Sequence, residues 1–181
     1  MSDLQQTVGP VGDKLAGRVA LVTGGIRGIG HAICMSLASQ GATVAAGFSG
    51  NTERAHAFLA EFQERFPGQA ASVHQGDVGV GDDARRIVAE VIEQHGRLDI
   101  LVNNAGITSD ATVLKMTDEA WDKVISVNLS GAFYTSQAAL KHMIERGSGR
   151  VINVSSIIGD TGNIGQTNYA ATKFAVIGMT K

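Results

Sequence analysis

The sequence predicts a doubly wound α/β fold, a parallel sheet with helices on both faces in three α/β/α layers. Three observations carry that prediction. Short apolar runs recur, at residues 19–22, 43–46, 71–73, 100–102 and 151–154. Each is mostly apolar on both faces, as strands covered by helices from both sides are. Patterns of helical period lie between them, and a glycine-rich turn joins the first run to the first of these patterns.

Residues 1–12 are polar and read as a loose N-terminal arm, with no apolar stretch that would make them a signal peptide. Residues 13–181 read as one domain. The first helix begins near Gly28, places Ile29, Ile33 and Leu37 on one face, and stops at Gly41. Cys34, between Ile33 and Leu37, reads as a buried, inert thiol. The second helix starts at Thr52, the expected N-cap, and ends at Pro67 and Gly68. The third, residues 82–95, turns Ile87, Val88, Val91 and Ile92 inward, with Gly96 as its stop. A fourth starts at Thr117, with Asp118 and Glu119 in its first turn, where the helix dipole favours acids. A fifth covers residues 131–146 and a last one residues 168–181, giving the order β-α-β-α-β-α-β-α-α-β-α.

Composition narrows the function. With 44% hydrophobic and 18% charged residues in 181, the chain carries one sizeable core and is not disordered. A net charge of −2 gives no footprint for nucleic acid or an anionic membrane, so neither is expected as a partner. No apolar run approaches the ~20 residues of a membrane span. A single cysteine excludes an intrachain disulfide and a Cys-rich metal site, and the expected location is a reducing cytoplasm. The five histidines are dispersed, and no metal is expected.

The turn after the first strand reads Thr23-Gly24-Gly25-Ile26-Arg27-Gly28-Ile29-Gly30. Such a turn lets the backbone approach a pyrophosphate, and the following helix offers it free N–H groups and a partial positive charge. A dinucleotide site is therefore expected around Gly24, Arg27, Gly28, Ile29 and Gly30. NAD sites usually carry an acid about 20 residues beyond the loop, on the ribose 2′-hydroxyl. Residues 47–51, which include Ser49 and Asn51, hold no acid, and Arg27 and Arg54 lie within reach of a 2′-phosphate. The expected cofactor is NADP(H), although Arg54 also reads as a solvated helix residue beside Glu53.

Tyr169 and Lys173 are four apart on a helix and share a face. The pair reads either as a surface contact or as an acid–base device, in which the ammonium favours the phenolate. Ser156 follows the fifth strand, at the sheet end where ligands of open α/β folds bind, and also reads as a turn or helix cap. Asn128 lies near a junction between helices and reads on its own as a local backbone partner. Asp77, after the third strand, is either a cofactor contact or a turn former.

These residues resemble the short-chain dehydrogenase/reductase family. TGGIRGIG resembles its cofactor loop, NNAG at 103–106 its fourth-strand motif, and VNLSG, NVSS and YAATK the settings of its catalytic residues. The resemblance covers nearly the whole chain after the arm and implies a Rossmann-like fold. It implies catalytic roles for Asn128, Ser156, Tyr169 and Lys173, with Ser156 chosen over Ser155 by its thirteen-residue gap to Tyr169. Asn128 would hold a water relaying protons to Lys173. Ser156, Gln166 and Tyr169 would meet the substrate. Asp77, Val78, Asn104, Ala105, Gly106, Tyr169 and Lys173 would join the cofactor site.

The strings NNAGITSD and GQTNYAATK are most similar to the family's 3-oxoacyl-thioester reductases. This implies NADPH-dependent reduction of a 3-oxoacyl thioester, carried by acyl-carrier protein or CoA. Ser109 departs from the basic residue many of them carry, and leaves the carrier open. A dehydrogenase of a sugar, polyol or steroid alcohol is the alternative within the family, and a non-catalytic nucleotide-binding scaffold the alternative outside it. The family pattern continues past Lys181 with another strand and helix, a substrate-covering segment and a final strand, so this is either a partial chain or a truncated protein; that part would close the substrate pocket and cover one edge of the sheet. A homo-oligomer, dimer or tetramer, is expected through Trp121, Val124, Phe133 or Ala138.

Overall fold

A computed structural model describes residues 12–181. Its elements are β1 (Val19–Thr23), α1 (Gly28–Ala38), β2 (Thr43–Phe48), α2 (Thr52–Arg65), β3 (Ala71–Gln75), α3 (Gly81–His95), β4 (Ile100–Asn103), α4 (Asp118–Ile125), a π-helical turn (Ser126–Ser130), α5 (Gly131–Glu145), β5 (Arg150–Asn153), α6 (Ile157–Thr161) and α7 (Thr167–Met179). The expected N-terminal arm lies, except for Gly12, outside the described residues. Gly12 itself donates its N–H to the carbonyl of Ser39 beyond α1.

All five strands are parallel, in the order β3-β2-β1-β4-β5. The order reverses between β1 and β4, and a crevice opens beyond their carboxyl ends, where ligands of such sheets bind. Alternation along the strands feeds two cores. Ala20, Val22, Val44 and Ala46 face α1 and α2, where Cys34, Phe58 and Phe62 are buried. Val19, Leu21, Ala45 and Leu101 face α3 and α5, against Ile87, Val88, Val91 and Met143. Phe62 sits between Phe58 and Phe66, ring centroids 6.1 and 5.2 Å away, and its complete burial is worth roughly 1.5–3 kcal/mol.

At the amino end of the sheet, the buried carboxylate of Asp99 gathers the chain. It accepts the N–H of Val19 at 2.9 Å, two bonds from Arg97 at 2.7 and 2.6 Å and one from Arg18 at 3.2 Å, with Arg146 at 3.8 Å. Burial pushes this carboxyl up, and the bonds from Arg97, Val19 and Arg18 outweigh it, leaving Asp99 below the ordinary aspartate range.

Five sequence expectations change. Ile29 is exposed rather than inward, because α1 buries the face of Gly30, Cys34 and Ala38, one residue further on. The N-cap of α2 is Asn51, whose side chain accepts the N–H of Arg54 at 2.8 Å, and Thr52 is the first helical residue. Among the described residues β5 is an edge strand with Arg150 and Ile152 exposed, not a strand covered on both faces. Val124 is fully buried and cannot serve an interface, and Ala138 packs on the core. The short helix α6 was not anticipated, since five residues show no period. The reading of Cys34 stands: its side chain is fully buried, and burial pushes the thiol up to about 12.

Candidate active site

The crevice is a cleft with a volume of about 390 Å³ at the carboxyl ends of β1 to β4. Of the expected cofactor residues, Gly24, Arg27, Ser49, Asn51, Asp77, Val78, Ala105 and Gly106 line it. The first turn of α1 borders it through Arg27. That residue occupies the N-cap position and makes no side-chain cap bond, so the orphan N–H groups of the helix remain available to an anion.

Gly28, Ile29, Gly30 and Asn104 stand behind the lining. Gly28 turns into the helix at φ +54°. A Cβ on Gly30 would come within 2.2 Å of the Gly24 carbonyl oxygen and 2.6 Å of Asn104 Nδ2, so only a bare backbone fits where α1 passes the loop. Asn104 Nδ2 donates to the carbonyl of Thr23 at 2.9 Å, and the Thr23 hydroxyl accepts the N–H groups of Asn104 and Ala105 at 3.1 and 3.0 Å. The phosphate loop is thereby braced against the end of β4. A cradle this tight, roofed by glycines and edged by a helix N-terminus, fits a dinucleotide pyrophosphate.

The charges of the lining are one-sided. Among the described residues, Arg27, Arg54 and Lys123 are its cations and Asp77 its only acid. Lys123 donates to Asp77 Oδ2 at 2.8 Å, and Asp77 Oδ1 accepts the N–H of Gly79 at 2.9 Å. The Lys123 bond is the chief cause of an Asp77 carboxyl held below its usual range. Lys123 was missed in the sequence because it lies 46 residues from Asp77 and no spacing rule links them.

The expected catalytic residues gather around α7. Lys173 is 5% exposed and donates to the carbonyl of Val154, at the end of β5, at 2.7 Å. Burial pushes its ammonium below the ordinary lysine range. Its Nζ lies 5.7 Å from the ring centroid of the half-buried Tyr169, so this is not a solvated surface pair. The neighbouring Ser155 hydroxyl donates to the Lys173 carbonyl at 2.7 Å, which ties β5 to α7. Ser156 is the N-cap of α6, accepting the N–H of Ile158 at 3.2 Å. That cap uses one lone pair, and the O–H remains free to donate.

Asn128, 2% exposed, lies in the π-helical turn. It brackets Ile107, accepting its N–H at 2.8 Å and donating to its carbonyl at 3.0 Å, and also donates to Thr172 at 3.3 Å. The side chain of Gln166 is engaged locally: it donates to Asp110 at 3.1 Å and accepts from Asn163 at 2.9 Å. Thr23, Asn168 and Asp110 complete the surroundings, and the sequence offered only loop-forming residue types as a signal for them.

A parallel sheet with its crevice at the order reversal and a glycine cradle define the dinucleotide-binding class of doubly wound α/β folds, and a serine, a tyrosine and a buried lysine lie beyond the same carboxyl ends. The chain belongs to the short chain dehydrogenase family, whose model matches residues 18–181. Among its relatives, the 3-oxoacyl-[acyl-carrier-protein] reductase FabG of Staphylococcus aureus (strain Mu50) is 44% identical over 90% of this chain and 65% of its own length. The protein of that name from Thermotoga maritima is 45% identical, over 93% and 67%. The acetoacetyl-CoA reductase of Rhizobium meliloti is 47% identical, over 91% and 65%. The chain thus spans 65% of the length of the first of these relatives.

Proposed function

We propose that this chain is the cofactor-binding and catalytic part of an NADPH-dependent reductase of 3-oxoacyl thioesters. The observation that carries the reading is the buried Lys173, anchored on Val154 beneath the ring of Tyr169, at the sheet edge that also carries the glycine-lined cleft. The names of the relatives support the thioester substrate. The choice of NADPH rests on the lining: no acid stands among residues 47–51, and Arg27 and Arg54 face the same space. A carboxylate there would repel a 2′-phosphate, whereas a guanidinium pairs with it.

When bound, the nicotinamide supplies the hydride that reduces the C3 carbonyl. The chain's residues handle the oxygen and the proton. Ser156 donates its free O–H to the carbonyl oxygen and holds it beside Tyr169. The Tyr169 phenol gives its proton to that oxygen as the C3 alcohol forms. Lys173 has two N–H donors left after its bond to Val154, one for the cofactor ribose and one for a proton path past Asn128. The product is the 3-hydroxyacyl thioester.

The working form is a homo-oligomer in the cytoplasm. Exposed Trp121, Phe133, Leu140 and Ile144 on α4 and α5 offer it an apolar surface. The test is NADPH oxidation with acetoacetyl-CoA, longer 3-oxoacyl thioesters on CoA or acyl-carrier protein, and sugar ketones. Turnover of the thioesters is expected. Turnover of the sugar ketones alone would overturn the substrate assignment.

A further inference from the structure

The segment 104–111 leaves β4 without regular secondary structure, yet its polar groups are partnered in sequence by the site's main parts. Thr23 of the phosphate loop takes the N–H groups of Asn104 and Ala105. Asn128 takes both backbone groups of Ile107. Asn168 Nδ2 donates to the carbonyl of Ser109 at 3.1 Å. Asp110 accepts from Gln166 at 3.1 Å, and the N–H of Ala111 donates to the carbonyl of Gly165 at 2.8 Å. One strap therefore joins the cofactor loop, the π-helical turn and the first turn of α7.

Asn168 is the fully buried member of this set, and it immediately precedes Tyr169. Its Nδ2 is shared between Ser109 and the carbonyl of Ala120 in α4, at 3.1 and 3.4 Å. Its Oδ1 accepts the N–H of Tyr169 at 2.7 Å. That N–H is one of the orphan donors of the first turn of α7, and Gln166 at the N-cap makes no side-chain cap bond to relieve it. A single amide thus satisfies the backbone of the tyrosine and fixes its turn to the strap and to α4. No isosteric residue offers the same donors and acceptor at once.

We propose that Asn168 is a positioning residue for the reduction: it holds Tyr169 at a set place relative to the strap that carries Ser109 and Asp110. The proposal rests on the reductase reading above. Because the strap's bonds to the phosphate loop are made by Thr23 and not by Asn168, loss of Asn168 acts on the chemistry and spares cofactor binding.

The test compares wild type, Asn168→Ala and Asn168→Asp in the full chain. It measures kcat and KM with acetoacetyl-CoA, NADPH Kd by calorimetry, and amide exchange across 107–111 by mass spectrometry. Asn168→Asp keeps the acceptor for the Tyr169 N–H and loses both donated bonds. We expect kcat to fall at least tenfold in both variants, NADPH Kd to stay within twofold of wild type, and exchange at 107–111 to quicken. Unchanged kcat would overturn the proposal, and so would a parallel loss of NADPH affinity. Should Asn168→Ala not fold, Asp110→Asn weakens the exposed tie and is expected to lower kcat about threefold at unchanged NADPH Kd; no change there would count against the strap. If wild type turns over no thioester, the reductase reading fails by itself, and exchange at 107–111 still decides whether Asn168 holds the strap.

Discussion

Gly30→Ala tests the cradle from behind, at a residue outside the lining of the cleft. The added Cβ would sit 2.2 Å from the Gly24 carbonyl oxygen, where ordinary contact begins at 3.4 Å, so the start of α1 and the loop must part by about 1.2 Å. Overpacking of this kind costs about 1–3 kcal/mol. Displacing Asn104 from Thr23 and Gly24 adds about 1 kcal/mol. Alanine returns about 0.5–1 kcal/mol as the better helix former. The net is roughly 1–3.5 kcal/mol, a fall in Tm of about 2–14 °C for a chain of this size. NADPH affinity should drop at least tenfold, because the N–H groups proposed to meet the pyrophosphate would move with the helix. Thermal unfolding and NADPH titration check both parts. A variant with wild-type Tm and Kd would show that the loop and helix are not in the tight register described.

Four further outcomes are expected. Ser49→Asp should shift preference from NADPH toward NADH, read as the ratio of the two dissociation constants, and an unchanged ratio would remove the charge argument. Tyr169→Phe should lower turnover by about 10²–10⁴-fold with NADPH binding retained; Lys173→Ala should damage both, and Ser156→Ala should cost less than the tyrosine change. The native carboxyl of Asp99 is depressed, so its stabilisation is present above the ordinary aspartate range of about 4 and is lost as pH falls through the native value. Asp99→Asn should therefore flatten the acid limb of a stability–pH curve, and an acid limb identical to wild type would exclude this carboxylate as its source. Sedimentation should show self-association at micromolar concentration that weakens on Phe133→Glu, and a strict monomer throughout would contradict the assembly proposed.

Periodicity and apolar runs made most of the fold legible in the sequence, because β1, β2, β4 and helices α1, α2 and α3 bury apolar residues at regular spacing. It failed where burial and period part company. Ile29 is as apolar as Ile33, and only the glycine contact at Gly30 decides which face of α1 turns inward. Asn51 and Thr52 are both good caps, and the choice rests on the turn after β2. The glycine loop and the Tyr169–Lys173 spacing were legible since each is local. Lys123 and the strap were not, since each bond joins residues far apart in sequence, and the residue types involved are ordinary in loops and helix ends.

The burial of Cys34 has a practical side. With its thiol sealed under α1 and held protonated, the chain offers no reactive sulfur to a maleimide at neutral pH. Any cysteine placed on the surface would be the one position that labels. Leu114, 97% exposed between β4 and α4, is a natural choice, because a fluorophore there would leave the core undisturbed.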